Sequence, residues 1–478
     1  MSTISKISTE EQRRLPEGWR WGTVNETGRY INGVAFKPTD WGKEGVPIIR
    51  IQNLTDPDKP LNRTTRKVDS IYRIEPGDMM VSWSATLDAF IWDREPSLLN
   101  QHIFKVVPDE TVTVKRFLFY LLKLAIVEMI KSEHLHGSTM KHINRGPFLA
   151  HRVPIPPLKQ QRRIVAEIEK QFTRLEAGVG ALRRVQANLK RYRAAVLKAA
   201  CEGQLVPTEA ELHKVAAASR RSAGNKQSRD GSATFETGAE LLTRILAERR
   251  KNWTGRGQYK EPAAPDTANL PPLPEGWTWA TLDALAAIKG GITKDQNRKF
   301  TEPARSIPYL RVANVQRGYL DLSEVKEIVA TDDEIQELIL KRGDILFNEG
   351  GDRDKLGRGW VWNDELPECI HQNHVFRARL FDMGLNPKLV SWYANTFGQK
   401  FFFDEGKHTT NLASISMSKL KGLPVPIPPP AEQTRIVAEV ERRLSVVEEL
   451  ESVVSANLQR ATRLRQSILQ KAFTGGLV

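Results

Sequence analysis

The chain has 478 residues, of which 40% are apolar, a composition that supports ordinary folded cores in about three domains. Lysine and arginine (71) exceed aspartate and glutamate (57), so the net charge of +14 favours an anionic partner such as nucleic acid, although a solvated basic surface gives the same balance. Two cysteines exclude a disulfide framework and a four-cysteine zinc site, and the most apolar run, residues 117–130, is too short to span a bilayer. We therefore expect a cytoplasmic protein with no membrane association.

Residues 1–155 have the pattern of a mixed α+β domain. Short runs rich in apolar and β-branched residues, such as VPIIRIQNL from Val46 and HIFKVV from His102, predict strands. Residues 114–133 predict a helix. The domain opens with LPEGW from Leu15 and closes with VPIPP from Val153.

Residues 156–206 predict one long helix. Two prolines after Ile155 suit its start, because the first helical turn leaves N–H groups unpaired, and Gly203 suits its end. Between them the apolar residues fall seven apart, at Ile168, Leu175, Leu182, Leu189 and Val196. This spacing is typical of a coiled-coil seam.

Residues 207–272 form a polar linker. Residues 218–235 are polar without periodicity, which predicts disorder. The stretch ETGAELLTRILAERRKNW from Glu236 predicts a short amphipathic helix that leads into the next domain.

The remainder repeats the first half, with a second α+β domain at residues 273–427 and a second long helix at 428–478. LPEGW recurs 258 residues later at Leu273, and VPIPP recurs 272 residues later at Val425. The offset drifts through the domains but stays at 272 along the helices. Because one inserted residue would rotate a helix by about 100°, equal lengths indicate that the two helices are paired.

Catalytic motifs are absent from the sequence. It has no P-loop, no glycine-rich cofactor loop and no methyltransferase N-P-P-aromatic motif. EGGDRDKLGRG from Glu349 lacks the Lys-Ser/Thr ending of a phosphate loop and predicts a flexible loop that approaches the DNA backbone. Only one histidine of HQNH from His371 has a counterpart in the first domain, His102, which favours a satisfied or DNA-facing histidine over a metal ligand. We expect no catalytic site, metal or cofactor in this chain.

The motifs taken together resemble the specificity subunits of type I restriction-modification enzymes. Two variable domains are each opened by LPEGW and closed by PIPP, then QQ or EQ, then RIVAE, and each helix ends in GQLV or GGLV. The resemblance covers the chain outside the disordered insert. It implies two target recognition domains, each reading half of a split site in double-stranded DNA, and two antiparallel helices that act as a spacer. It also implies partners: two modification (methyltransferase) subunits and the restriction subunits, which supply S-adenosylmethionine, ATP and Mg.

Candidate DNA contacts are polar residues at matching positions of the two domains. One Asn, Gln or Arg side chain can make two hydrogen bonds to the edge of one base, whereas Ser, Thr and Lys suit phosphates. The candidates are Arg50, Asn53, Ser82, Ser84, Gln101, His102, Ser138, Thr139, Lys141, Arg311, Asn314, Asn348, Arg353, Gln372, Asn373, His374, Lys407, Thr409, Thr410 and Asn411. Arg50 and Arg311 equally suit internal ion pairs.

Two other functions are compatible with the sequence. The chain could be a coiled-coil scaffold whose domains bind proteins, or a nuclease with an unrecognised site. Retention on a specific DNA duplex separates the first hypothesis from both. No motif encodes the DNA sequence that would be read.

Overall fold

The computed structural model describes residues 15–478 apart from 57, 132–141, 223–234, 255–256, 295–299, 352–355, 383 and 409–412. The chain divides into two compact units. The first comprises residues up to Val185 together with Val453–Val478, and the second comprises Gln186–Ser452. Each unit thus contains the start of one long helix and the end of the other. No helix among the described residues is long and apolar enough to cross a membrane.

The two long helices, Leu158–Cys201 and Pro430–Phe473, have 44 residues each. In the predicted seam, Ile168, Leu189 and Val196 are buried on the first helix. The register is antiparallel in both units: Arg465 pairs with Glu176 in the first, and Arg193 pairs with Glu448 at 3.5 Å in the second. The heptad pattern is therefore explained by helix pairing.

The first unit contains two four-stranded sheets and a separate strand pair. One sheet has the order Gly28–Asn32, Ile103–Pro108, Met79–Ser82, Asp88–Ile91, and the other has the order Asn62–Thr64, Val46–Ile49, Ser97–Leu99, Arg73–Ile74. Arg20–Thr23 pairs antiparallel with Arg152–Ile155. The helices are Val24–Thr27, Pro38–Asp40, Ile51–Thr55, Ser70–Tyr72, Lys115–Lys131 and Arg145–Ala150, the first, second and fourth of them being short 3-10 turns. Lys115–Lys131 packs its apolar face on the first sheet, which forms the main core.

The second unit repeats this plan with changes. One sheet has the order Ala286–Lys289, Val375–Leu380, Ile345–Asn348, Gly359–Val361, and a second has the order Lys326–Thr331, Ala304–Leu310, Ile370–His371. A small sheet joins Gly350–Gly351, Ala413–Ser414 and Lys407–His408, and Thr278–Thr281 pairs with Pro424–Ile427. The helices are Glu209–Ser222, Gly238–Lys251, Leu282–Leu285, Asp332–Leu338, Pro387–Thr396, Gly398–Glu405 and Met417–Lys421. The predicted α+β class with two tandem domains and long paired helices is confirmed.

The repeated sequence motifs meet where each domain joins its helix. In the first unit, the indole N–H of Trp19 in LPEGW donates to Gln160 Oε1 (2.6 Å). The neighbouring Gln161 accepts from the backbone N–H of Val114 (2.8 Å) and donates to the carbonyl of Pro156 (2.8 Å). One glutamine thereby fixes the start of the domain helix to the start of the long helix.

The second unit builds the same joint with Trp277, Glu432 and Gln433. The Trp277 indole donates to Glu432 Oε1 (2.9 Å). Gln433 accepts from the N–H of Asn386 (2.8 Å) and donates to the carbonyl of Pro428 (2.9 Å). The recurrence of LPEGW and of QQ or EQ is therefore a requirement of the fold.

The linker contributes two helices, Glu209–Ser222 and Gly238–Lys251, both to the second unit. In Gly238–Lys251, Leu241 and Ile245 are fully buried against Val425 and Ile427. In the first unit, an exposed ion pair between Arg20 and Glu26 lies over the matching strand pair. Both units have the joint, but the strand pair beside it is covered by a helix in the second unit and by an exposed ion pair in the first.

Candidate nucleic-acid interface

In each unit, one residue joins three chain segments through its own backbone. In the first unit, the N–H of Trp83 donates to the carbonyl of His102 (3.2 Å), and the carbonyl of Trp83 accepts from Ile143 (3.0 Å). In the second unit, Glu349 makes the same two bonds, to His374 (3.0 Å) and from Ile415 (2.8 Å). We call Trp83 and Glu349 the bridging residues.

The bridging residue of the first unit carries an aromatic side chain. The Trp83 indole N–H donates to Asn32 Oδ1 (3.1 Å), and its ring lies 4.7 Å from the His102 ring, centroid to centroid. His102 has a φ of 73°, and Ala85 beside the bridging residue has a φ of 55°. Left-handed backbone at residues other than glycine costs free energy and concentrates at functional sites. Gln101 is exposed next to this cluster.

The bridging residue of the second unit carries a carboxylate. Glu349 Oε2 pairs with His374 Nδ1 at 2.5 Å. The His374 side chain is 55% exposed and that of Glu349 is 30% exposed, so both are open to solvent. Gln372 and Asn373, which precede His374, are half-buried. The same pair of backbone bonds thus presents a different chemistry in each unit.

The predicted asparagines Asn53 and Asn314 are both buried and serve the same local structure. Asn53 Oδ1 accepts from the N–H of Arg50 (3.1 Å), and its amide donates to the carbonyls of Lys59 and Pro60. Asn314 Oδ1 accepts from the N–H of Arg311 (2.9 Å), and its amide donates to the carbonyls of Asp321 and Glu324. Both amides are occupied in closing a loop.

The two arginines beside these asparagines also have internal contacts. The Arg50 guanidinium lies 4.6 Å from the Trp41 ring centroid, a cation–π arrangement. Arg311 pairs with Glu324 at 3.7 Å and its side chain is 23% exposed. The internal ion pair that the sequence allowed is thus present for Arg311.

The other predicted residues of the strand ends are buried. Ser82 Oγ donates to the carbonyl of Ser84 (3.1 Å), and Ser84 is itself buried. The amide of Asn348 donates to the carbonyls of Val312 (3.2 Å) and Val315 (2.9 Å). Ser82 and Asn348 directly precede the bridging residues in sequence, and Ser84 directly follows Trp83. Their hydrogen bonds therefore fix the backbone next to the bridging residues.

Several predicted contacts lie outside the described residues. They are Ser138, Thr139, Lys141, Arg353, Thr409, Thr410 and Asn411. Residues 223–234 of the insert predicted to be disordered also lie outside, whereas residues 218–222 were predicted wrongly, because they end the helix Glu209–Ser222. Lys407 belongs to the strand Lys407–His408, whose partner strand Ala413–Ser414 also pairs with Gly350–Gly351. The predicted lysine is therefore on the same small sheet as the residues that follow Glu349.

His371 has no exposed face. Its Nδ1–H donates to the carbonyl of Val375 (2.7 Å), and its Nε2 is buried without a hydrogen-bond partner. Burial lowers the pKa of His371 to about 4, which favours the neutral ring. The first domain has the buried Leu99 at the matching position. Among the described residues, no group of three or more His, Cys, Asp or Glu could hold a metal ion.

The sequence predictions missed the bridging residues and Asn32. Trp83 and Glu349 occupy equivalent positions but share no chemistry, so a search for matching polar residues passes over them. The signal in the sequence is the alignment of the two repeats with each other, since Trp83 and Glu349 both directly follow a buried strand, Met79–Ser82 or Ile345–Asn348.

Comparison with known proteins first defines the class. Residues 16–179 match the family model described as the type I restriction modification DNA specificity domain. Residues 16–179, in the first unit, are therefore similar to a specificity domain of this class.

The similarity extends along the whole chain. Over 97% of its length the chain is 23% identical to the type I restriction enzyme EcoBI specificity subunit of Escherichia coli, covering 87% of that relative. It is 22% identical to the EcoKI specificity subunit of Escherichia coli strain K12, covering 97% of this chain and 90% of the relative. A solved chain from a study of complex assembly and conformational transition of the type I R-M system has the same fold, with a TM-score of 0.60, 19% identity, and coverage of 97% of this chain and 100% of that chain. The resemblance to type I restriction-modification specificity subunits is confirmed.

Proposed function

We propose that this protein is the sequence-specific DNA-binding subunit of a type I restriction-modification system. Each domain reads one half of a split DNA site, and the chain docks two modification subunits and the restriction subunits. It acts in the cytoplasm, where DNA and these partners are available.

The observation that carries the proposal is the doubled set of backbone bonds around the bridging residues. Trp83 and Glu349 are held alike and open to solvent, yet their side chains differ. Two readers of a split site need a common support and different reading chemistry, whereas a scaffold for identical partners would need the same surface twice. The net charge of +14 suits a polyanion.

The chain acts without chemistry of its own in this proposal. Methyl transfer from S-adenosylmethionine belongs to the modification subunits, and ATP-driven, Mg-dependent cleavage belongs to the restriction subunits. The purified chain alone should neither methylate nor cut DNA.

The test reconstitutes the full chain with the modification subunits of its native host and maps methylated positions on genomic DNA. One bipartite sequence with a fixed unread spacer is the expected result. Methylation without sequence preference, or equal methylation by the modification subunits alone, would overturn the proposal. A protein-binding scaffold would purify with partners but retain no specific duplex, and a nuclease would cut DNA by itself.

A further inference from the structure

We propose that the bridging residues are specificity-determining positions, and that Glu349 reads a cytosine in the half-site of the second domain. This inference rests on the proposed function and assigns chemistry to residues within it. The probe is double-stranded DNA, contacted in the major groove.

The first step separates support from reading. Residues that the fold uses are kept in both units: Gln161 and Gln433 make the same joint, and Asn53 and Asn314 close the same loop. The backbone bonds that place the bridging residues could be made by any amino acid. Their side chains differ, since Trp83 also packs against the core of the first unit, whereas Glu349 pairs with the exposed His374. A position whose backbone is held in place while its side chain can differ is suited to determine which DNA sequence is read.

The second step concerns charge. A carboxylate on a DNA-binding surface is repelled by phosphates, so it contributes binding only where it meets a donor on a base. In the major groove, the cytosine N4 amino group is the donor that Glu and Asp accept from. Adenine also has an amino group, but its neighbouring N7 acceptor suits an amide better than a carboxylate.

The third step is orientation. His374 Nδ1 is hydrogen-bonded to Glu349 Oε2, whereas Glu349 Oε1 has no hydrogen-bond partner among the described residues. The histidine therefore restricts the carboxylate and leaves one oxygen available to a base. A fixed acceptor discriminates better than a mobile one because less side-chain entropy is lost on binding.

The first domain should read its equivalent base differently. Trp83 offers a ring face and no acceptor, and its only polar atom is occupied by Asn32. An indole face suits contact with a thymine methyl group, so the two half-sites should differ at this base.

The experiment maps methylation with the reconstituted enzyme carrying Glu349→Gln. We expect one position of the second half-site to change preference from cytosine to adenine by about tenfold, because an amide pairs with adenine N6 and N7. The first half-site should stay unchanged. Glu349→Asp should retain cytosine with weaker binding, and Trp83→Ala should relax one base of the first half-site alone.

The matched control is Glu368→Gln, an exposed carboxylate of the second unit that pairs with Arg305, and it should leave both half-sites unchanged. An unaltered second half-site in a folded Glu349→Gln enzyme would overturn this inference while the wild-type map still upheld the proposed function. A wild-type enzyme without a defined site would instead overturn the proposed function.

Discussion

Pro16 of the first LPEGW motif lies directly against Gly475, two residues after the end of the second long helix. A Cβ on Gly475 would come within 2.3 Å of the Pro16 ring, and the φ of Gly475 is +81°. In the second unit, Pro274 has the same relation to Gly203, at 2.5 Å with a φ of +69°. Each unit therefore joins the opening motif of one repeat to a glycine just after the long helix of the other repeat.

Replacing Gly475 by alanine should destabilise the first unit by about 1–3 kcal/mol, because the residue needs both left-handed backbone and space beside Pro16. Hydrogen exchange of the intact chain would show faster opening of the first unit. The control is Gly476→Ala, whose Cβ would meet its nearest atom only at 3.7 Å. Equal effects of the two variants would contradict this packing.

Gln433→Ala should weaken the second unit by about 2 kcal/mol, because it leaves the half-buried N–H of Asn386 and the buried carbonyl of Pro428 without partners. Urea unfolding of the full chain measures the change. Gln459→Ala, at an exposed position of the same helix, serves as the control and should be close to neutral. A neutral Gln433→Ala would mean that the joint contributes no net stability.

The stability of the second unit should fall as the pH drops from about 6.5 to about 4. In this window an unfolded His371 binds a proton, whereas the buried ring, with its pKa near 4, stays neutral. Between pH 7.5 and 5 the loss from this residue is about 2 kcal/mol, from about 1.4 kcal/mol per pKa unit.

His371→Leu, the residue type of Leu99 in the first domain, should remove that loss and flatten the pH dependence. Urea midpoints at pH 7.5 and 5.0 give the comparison. The neighbouring Ile370→Val should lower stability equally at both pH values, because it removes only a buried methylene group. An unchanged pH dependence in His371→Leu would assign the acid loss to other groups.

Exchanging residues 17–154 for the first domain of another family member should change one half of the recognised site. Most core residues of the first unit lie within the exchanged range and would be replaced together. The new domain should therefore fold if its joint to Gln161 is kept. Methylation mapping gives the answer. A simultaneous change in both half-sites would exclude independent readers.

Adding one heptad to each long helix should lengthen the unread spacer by about 3 base pairs, since seven residues add about 10 Å. The insertions belong after Leu182 and after Leu458, which face each other in the register set by Glu176 and Arg465. Inserting one residue into a single helix should cost folding or assembly instead. A well-folded double-heptad variant with the original spacer would leave the helices as docking surfaces only.

The sequence was most informative where a side chain serves the fold repeatedly. The heptad stripe and the constant offset of 272 predicted both long helices, because their packing depends on apolar spacing. The counterpart of helix Lys115–Lys131 in the second unit is interrupted around Phe397, between Pro387–Thr396 and Gly398–Glu405, and no spacing in the sequence indicates this break.

The candidate site was harder to predict for a physical reason. Asn53 and Asn314 recur at matching positions, which favours them as candidate contacts, but they recur because each closes a loop. Trp83 and Glu349 are defined by main-chain bonds, which leave no trace in residue identity. Similarity between the two repeats therefore predicts the residues that build the fold, whereas the bridging residues are recognised only from the structure.

The anchoring of Trp83 and Glu349 through main-chain atoms also bears on evolution. Most substitutions in a folded protein lower stability, and selection removes those that fall below a threshold. At Glu349 the side chain pairs with the exposed His374, so its exchange by a single codon change should cost little stability. On the proposed function, a lineage can therefore acquire new target sequences while the joints built by Gln161 and Gln433 stay unaltered.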